Sequence, residues 1–107
     1  MSEALDEIER LLETLEGEID EQRDLGEKAA VAQAKYKSLR GKEMLASKVN
    51  PDLKTVSDRE AWVDDRLENE YLDMRKAEAL LDAQKERTRT LRAMLSALQT
   101  LNSAGRV

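Results

Sequence analysis

The fold of this chain is decided by the stretch ASKVNPDLK, residues 46–54, which contains the only proline of the sequence. Proline disfavours helical geometry in the residue before it, and an Asn-Pro pair is a turn signal. We therefore interpret residues 46–56 as the one substantial loop. Because helical patterns precede and follow this loop, the sequence predicts two long helices joined by one turn.

The composition is typical of an all-α protein. Ala, Glu, Lys, Leu and Arg account for 61 of the 107 residues, above the roughly 50% found in long helices and coiled coils. Phenylalanine is absent and β-branched residues are few, which argues against a β-sandwich or barrel. The absence of Cys and His excludes disulfides, zinc bound by these residues and His-dependent catalysis. We expect no enzyme, no cofactor and no metal site.

A coiled-coil seam is predicted in the first helix from apolar residues at alternating spacings of three and four. The seam is interrupted between Gly17 and Gly26, which predicts a change of register and a possible kink or break near Gly26. Its first part consists of Leu5, Ile8, Leu12, Leu15 and Ile19, and its resumed part of Leu25, Ala29, Ala32, Tyr36 and Leu39.

The second helix is predicted for residues 57–104. Ser57 and Glu60 have the spacing of a capping box, in which the Ser57 hydroxyl accepts a hydrogen bond from the Glu60 amide. The heptad pattern then continues, with Gln84 and Thr88 at two positions that coiled coils usually fill with Leu or Ile. The apolar residues of this second seam are Val63, Leu67, Met74, Ala77, Leu81, Leu91, Leu95 and Leu98. The whole pattern predicts an antiparallel helical hairpin, coiled-coil-like, whose leftover apolar surface favours a homo-oligomer.

The charges are segregated although the formal net charge is only −5. They amount to −9 in residues 1–27, +5 in 28–54, −5 in 55–82 and +4 in 83–107. We therefore divide the chain into an acidic heptad arm at 1–27, continuous with the first helix, the basic half of that helix at 28–45, the loop at 46–56 and the second helix at 57–104.

The basic residues form two ordered sets, which we interpret as candidate nucleic-acid-binding residues. A seven-residue repeat places Lys28, Lys35 and Lys42 on one face of the first helix. Tyr36 beside them either stacks on a base or packs in the seam, and Trp62 is expected to be a packing anchor. Alternatively, the basic residues of the second helix neutralise the acids between Glu9 and Glu21 across the hairpin. These basic residues are Lys85, Arg87, Arg89 and Arg92. The complete set is Lys28, Lys35, Lys37, Arg40, Lys42, Lys85, Arg87, Arg89 and Arg92.

No apolar run approaches the roughly 20 residues of a membrane span, and the acidic N-terminal region is unlike a secretory signal. We therefore expect a cytoplasmic location and no membrane partner.

The segment from Lys28 to the C-terminus resembles small phage proteins of the UvsY-like recombination mediator family. The similar parts are KAAVAQAKY at 28–36, TVSDREA at 55–61, Glu70-Tyr71 and the run at 77–95. The resemblance implies an oligomeric helical protein that binds single-stranded DNA and helps to load a RecA-like recombinase, in the host cytoplasm if phage-encoded. The acidic block at 1–27 lies outside it, as an oligomerisation arm or a surface that contacts the recombinase.

Two other function classes remain open at this point. The first is a structural or adaptor coiled coil, such as a phage assembly factor or scaffold, that binds no nucleic acid. Heptads, high charge and the lack of catalytic residues support it. The second is an acidic inhibitor that mimics DNA, which fits residues 1–27 but not the basic residues that follow.

Overall fold

The computed structural model describes residues 3–105, and within them it contains three helices and no strand. Helix α1 spans Glu3–Lys48, α2 spans Val56–Arg66 and α3 spans Glu68–Ala104. The all-α prediction is therefore confirmed, but the number of helices is three and not two. The connection between α1 and α2 contains the predicted Asn-Pro turn, in which the Asn50 side-chain oxygen accepts a hydrogen bond from the Asp52 amide at 3.0 Å.

Helix α1 is continuous over 46 residues and passes through Gly26 without a break. Its buried and half-buried residues also follow one heptad register, so the predicted change of register is wrong. Ile8 and Leu11 are buried, whereas Leu12, which we placed in the seam, is 41% exposed. The seam runs through Ile8, Leu11, Leu15, Glu18, Gln22, Leu25, Ala29, Ala32, Tyr36 and Leu39. Because two of these positions are polar, the seam looks interrupted in the sequence although it is not.

A single residue, Leu67, separates α2 from α3, and it accounts for the extra helix. Its backbone dihedrals are φ −109° and ψ 18°, outside the helical range. The helical hydrogen bonds nevertheless continue, since the Leu67 amide donates to the Val63 carbonyl at 3.0 Å and its carbonyl accepts from the Tyr71 amide at 2.9 Å. Val63 and Leu67 are both buried, so the seam predicted for the second helix persists across the interruption.

Helix α2 is capped by Thr55 and not by Ser57, so the predicted capping box is wrong. The Thr55 side chain accepts a hydrogen bond from the Asp58 amide at 3.0 Å, and its carbonyl accepts from the Arg59 amide at 3.1 Å. Ser57 lies inside the first turn. Helix α2 therefore begins at Val56, one residue earlier than predicted, and Thr is among the residue types preferred at helix N-caps.

The tertiary contacts divide the chain into two units. Unit 1 contains residues 1–26 and 80–107, and unit 2 contains residues 27–79. The core of unit 1 is formed by Ile8, Leu11 and Leu95, against which Leu15, Leu91 and Leu98 pack. In unit 2 the most deeply buried residues are Ala29, Ser47, Val63 and Leu67, and the Ser47 hydroxyl donates to the Met44 carbonyl at 2.6 Å.

Candidate nucleic-acid interface

The row of lysines predicted on the first helix lies on α1 within unit 2. Lys28, Lys35 and Lys42 are exposed, and none of them forms an ion pair with any residue in the range 3–105. One heptad of α-helix rises about 10 Å, so the three ammonium groups are carried at regular intervals along one side of α1. We call these three residues the lysine row. Their charges are available to an anionic partner.

The two other basic candidates on α1 differ from each other. Lys37 is exposed and forms no ion pair within the described residues. Arg40 is half-buried and donates from Nη1 to the Asp64 carboxylate of α2 at 2.6 Å. This hydrogen bond raises the pKa of the Arg40 guanidinium, and the Tyr36 hydroxyl contributes in the same direction. Arg40 therefore has a structural role within unit 2.

A second ion pair also joins α1 and α2, but here the arginine lies on α2 and the carboxylate on α1. Arg66 of α2 donates from Nε to the Glu43 carboxylate of α1 at 2.7 Å, and this hydrogen bond raises the pKa of the Arg66 guanidinium. Arg66 also lies over the ring of Trp62, with 4.7 Å between the guanidinium carbon and the ring centroid. The Trp62 ring thus forms a cation–π contact with Arg66, a residue that the sequence analysis did not identify.

In unit 1 the four basic candidates lie on α3, and all four are exposed. Arg87 forms an ion pair with Glu18 of α1, with 3.0 Å between Arg87 Nε and the carboxylate, and Arg89 is paired with Glu86. Lys85 and Arg92 form no ion pair with a described residue. Arg87 is thus the one member of this set that contacts the acidic arm as the neutralisation hypothesis requires.

Below Arg87, a polar layer of Glu18, Gln84 and Thr88 interrupts the apolar core of unit 1. Gln84 and Thr88 are 8% and 2% exposed. The Gln84 side-chain amide donates to the Glu18 backbone carbonyl at 3.0 Å and to the Glu18 carboxylate. The Thr88 hydroxyl donates to the Gln84 carbonyl at 3.0 Å. The two polar residues found at heptad positions in the sequence, Gln84 and Thr88, therefore lie in the interior of unit 1.

The two tyrosines of unit 2 contact each other. The ring centroids of Tyr36 and Tyr71 are 5.6 Å apart and the ring planes are inclined by 58°, an arrangement that aromatic pairs prefer. Tyr36 is half-buried in the seam, and Tyr71 is 44% exposed. The packing role considered for Tyr36 is therefore observed, and one face of the pair borders an open cavity that Asp64 and Glu68 also line.

Residues 3–105 contain no group of three or more acidic side chains arranged to hold a metal ion. No helix in that range is long and apolar enough to cross a membrane.

The residues that sequence reasoning missed are the acidic partners. Glu18, Asp64 and Glu43 each receive a hydrogen bond from a side chain of another helix. For Glu18 a signal existed, because the register that begins at Ile8 and Leu11 places it inside the seam. For the other two, charged residues on exposed flanks gave no comparable signal.

Comparison with known proteins returns no match for this chain: no protein family, no curated protein and no solved structure is significantly similar to it.

Proposed function

We propose that this protein binds single-stranded DNA through the lysine row and acts as an accessory protein in DNA recombination. The observation that carries the proposal is that Lys28, Lys35 and Lys42 share one face of α1 and remain without an acidic partner in the described chain. Unit 2 contains many carboxylates, and two of its arginines are used in pairs with them. A row of cations left unpaired in such surroundings suits the contact of successive phosphates.

We propose an antiparallel arrangement of the helices, which supports this function by giving α1 a defined solvent face. Within unit 1, Leu11 packs with Leu95 and Glu18 contacts Gln84. Within unit 2, Tyr36 contacts Tyr71 and Glu43 contacts Arg66. In each unit, a residue later in α1 contacts a residue that lies earlier in the sequence of the facing helix. This order is the one expected of an antiparallel hairpin.

The protein is further proposed to form a homo-oligomer. Large apolar side chains of unit 1 remain exposed along α1 and α3: Leu12 at 41%, Leu80 at 53%, Met94 at 48% and Leu101 at 68%. Apolar residues in such number on two helices favour burial against another copy. An oligomer would also repeat the lysine row, and several weak phosphate contacts then act together on one strand.

The recombination role rests on the resemblance to UvsY-like mediators, whose implied partner is a RecA-like recombinase. In this proposal, DNA binding belongs to unit 2 and the acidic residues of α1 in unit 1 are available to a protein partner. A pull-down with a RecA-like recombinase, with and without a single strand, tests this part separately from DNA binding.

The DNA-binding proposal is tested by charge reversal with a matched control. The double variant Lys35→Glu/Lys42→Glu removes two members of the row, and Lys54→Glu/Lys76→Glu changes the net charge equally at exposed positions elsewhere in unit 2. We expect the first variant to bind a labelled 30-mer at least tenfold more weakly than the second at low salt. Equal affinities for the two variants would show that the row is not the binding surface. Circular dichroism checks that both remain helical.

The structural coiled-coil function is the second candidate, and the polar layer of unit 1 favours it. A partly buried Gln84–Glu18 contact with Arg87 on its outside is the kind of feature that specifies helix pairing. If the protein is only a scaffold, Arg87→Glu lowers the stability of unit 1, and no variant affects DNA because wild-type protein has no affinity for the 30-mer.

A further inference from the structure

One cavity of unit 2 has a lining whose chemistry the lysine row does not explain. It has a volume of about 330 Å³ and is lined by Tyr36, Asp64, Glu68 and Tyr71. We call it the tyrosine cavity. Asp64 and Tyr71 are seven residues apart and so lie on the same flank of the seam. Lys35 instead lines a separate small cavity together with Glu70 and Asp73. Tyr36 lines both cavities, but no member of the lysine row lines the larger one.

The lining of the tyrosine cavity keeps one uncompensated negative charge. Of its two carboxylates, Asp64 is neutralised by Arg40 at 2.6 Å. Glu68 is exposed at the start of α3 and forms no ion pair with any residue in 3–105. A phosphate or other anion entering the cavity would meet this charge, whereas a cation would be attracted by it.

The two tyrosine rings favour an organic cation over a metal ion. The face of an aromatic ring is electron-rich and attracts a cation within about 6 Å of its centroid. Tyr71 is 44% exposed, so part of its ring surface is accessible. A guanidinium group combines a planar, weakly hydrated cation that stacks on such rings with N–H donors that match a carboxylate, whereas an ammonium group offers a more strongly hydrated point charge.

Arg40 of this chain already demonstrates the same recognition beside the cavity. Its guanidinium donates to the Asp64 carboxylate at 2.6 Å, and the nearby Tyr36 hydroxyl contributes to the raised pKa of Arg40. Asp64 thus binds one guanidinium near a tyrosine, and Glu68 with the exposed part of Tyr71 offers the same pair of groups without an occupant from the described chain.

We propose that the cavity lined by Tyr36, Asp64, Glu68 and Tyr71 binds a guanidinium group, presented either by an arginine side chain of a peptide or by a small guanidine. The site uses none of the lysine row. It gives unit 2 a second binding surface for a ligand of opposite charge.

The test is a titration of the protein with agmatine and with the capped peptide Gly-Arg-Gly, followed by NMR of the tyrosine rings. Saturable shifts of the Tyr36 and Tyr71 ring signals are expected for both ligands, with the Leu95 methyl signals of unit 1 unchanged. Tighter binding of the peptide identifies a polypeptide source, and equal or tighter binding of agmatine identifies a small guanidine. The capped peptide Gly-citrulline-Gly, which has a similar shape without the charge, should not bind.

Two variants make the test specific. Glu68→Gln removes the unpaired carboxylate, and we expect roughly three- to tenfold weaker binding, the size of one ion-pair or cation–π contact at a half-open site. Tyr71→Leu should have a similar effect, whereas Tyr71→Phe retains the ring and the affinity. The matched control is Glu60→Gln, an exposed residue of α2 that does not line the cavity. Ring signals that fail to shift, binding of the citrulline peptide, or equal losses for Glu68→Gln and Glu60→Gln would overturn the proposal.

Discussion

Single side chains determine which faces of the helices meet, and the polar layer of unit 1 is the clearest case. Glu18 is half-buried, accepts a hydrogen bond from Gln84 and forms an ion pair with Arg87. A buried polar group that loses its partner retains the full cost of its desolvation. The layer therefore stabilises the observed register only while it is complete.

We predict that Gln84→Ala lowers the free energy of unfolding by about 1–3 kcal/mol, because the Glu18 carboxylate loses its interior partner. Gln99→Ala on the exposed side of α3 is the control and should change it by less than about 0.5 kcal/mol. Urea denaturation followed by circular dichroism measures both. Equal values for the two variants would contradict the contribution of the layer.

Replacing the layer by leucine is predicted to have the opposite effect on stability. In Glu18→Leu/Gln84→Leu/Thr88→Leu all three residues of the layer become apolar, so the unfolding midpoint should rise or stay constant while the preference for one pairing is reduced. Exchange-broadened or doubled NMR signals would report the lost specificity. A lower midpoint with a single set of signals would show that the layer acts mainly through its hydrogen bonds.

At the scale of the elements, the glycines of α1 permit a direct test of its continuity. A Cβ added at Gly17 or Gly41 has no neighbour within 4 Å, and one at Gly26 meets only Leu81 Cδ1 at an ordinary 3.9 Å. Because glycine weakens a helix interior, each Gly→Ala substitution should stabilise the protein by about 0.5–1 kcal/mol. Thermal unfolding measures this change. A loss of stability for Gly26→Ala would contradict an uninterrupted helix at that position.

The start of α2 gives a second prediction at this scale. Thr55→Ala removes the side-chain oxygen that accepts from the Asp58 amide and should cost about 1 kcal/mol. Ser57→Ala should cost less than about 0.5 kcal/mol, because Ser57 lies inside the helix. Chemical denaturation of the two variants compares them, and a larger effect of Ser57→Ala would restore the capping box predicted from the sequence.

Some features of the helices can be predicted from the sequence, and others cannot. The helical class, the Asn-Pro turn and the register of the second seam follow from composition and spacing alone. The register of α1 does not, because Leu11 and Leu12 are adjacent and either one continues a local spacing of three and four. The interruption at Leu67 has no local signal, since neither Gly nor Pro lies near it.

For the candidate site, the sequence identifies the cations but not their partners. The lysine row was predictable because a seven-residue repeat places its members on one side of a helix. Arg40–Asp64 and Tyr36–Tyr71 depend on which turn of α1 contacts which turn of α2 or α3. Residues 24 or 35 positions apart are brought together by packing, which spacing along one helix does not encode.

For the whole molecule, the exposed apolar residues of unit 1 predict an assembly that can be separated from folding. Leu12→Asp with Met94→Asp places charges where the side chains are 41% and 48% exposed. We expect a monomeric mass in light scattering at micromolar concentration with helicity retained, whereas Leu11→Asp, at an 8% exposed position, should unfold unit 1. A wild-type protein that is already monomeric would contradict the proposed oligomer.

The most direct test of the central claim is the salt dependence of single-strand binding. Cations that contact phosphates release counterions, so log affinity falls with log salt by about 0.7 for each phosphate contacted on a single strand. Binding of a 30-mer should therefore be strong at about 20 mM salt and decline steeply towards physiological salt. The triple variant Lys28→Glu/Lys35→Glu/Lys42→Glu should show a slope smaller by about 2 per bound protomer. An unchanged slope, or a wild-type protein with no affinity even at the lowest salt, would contradict the account.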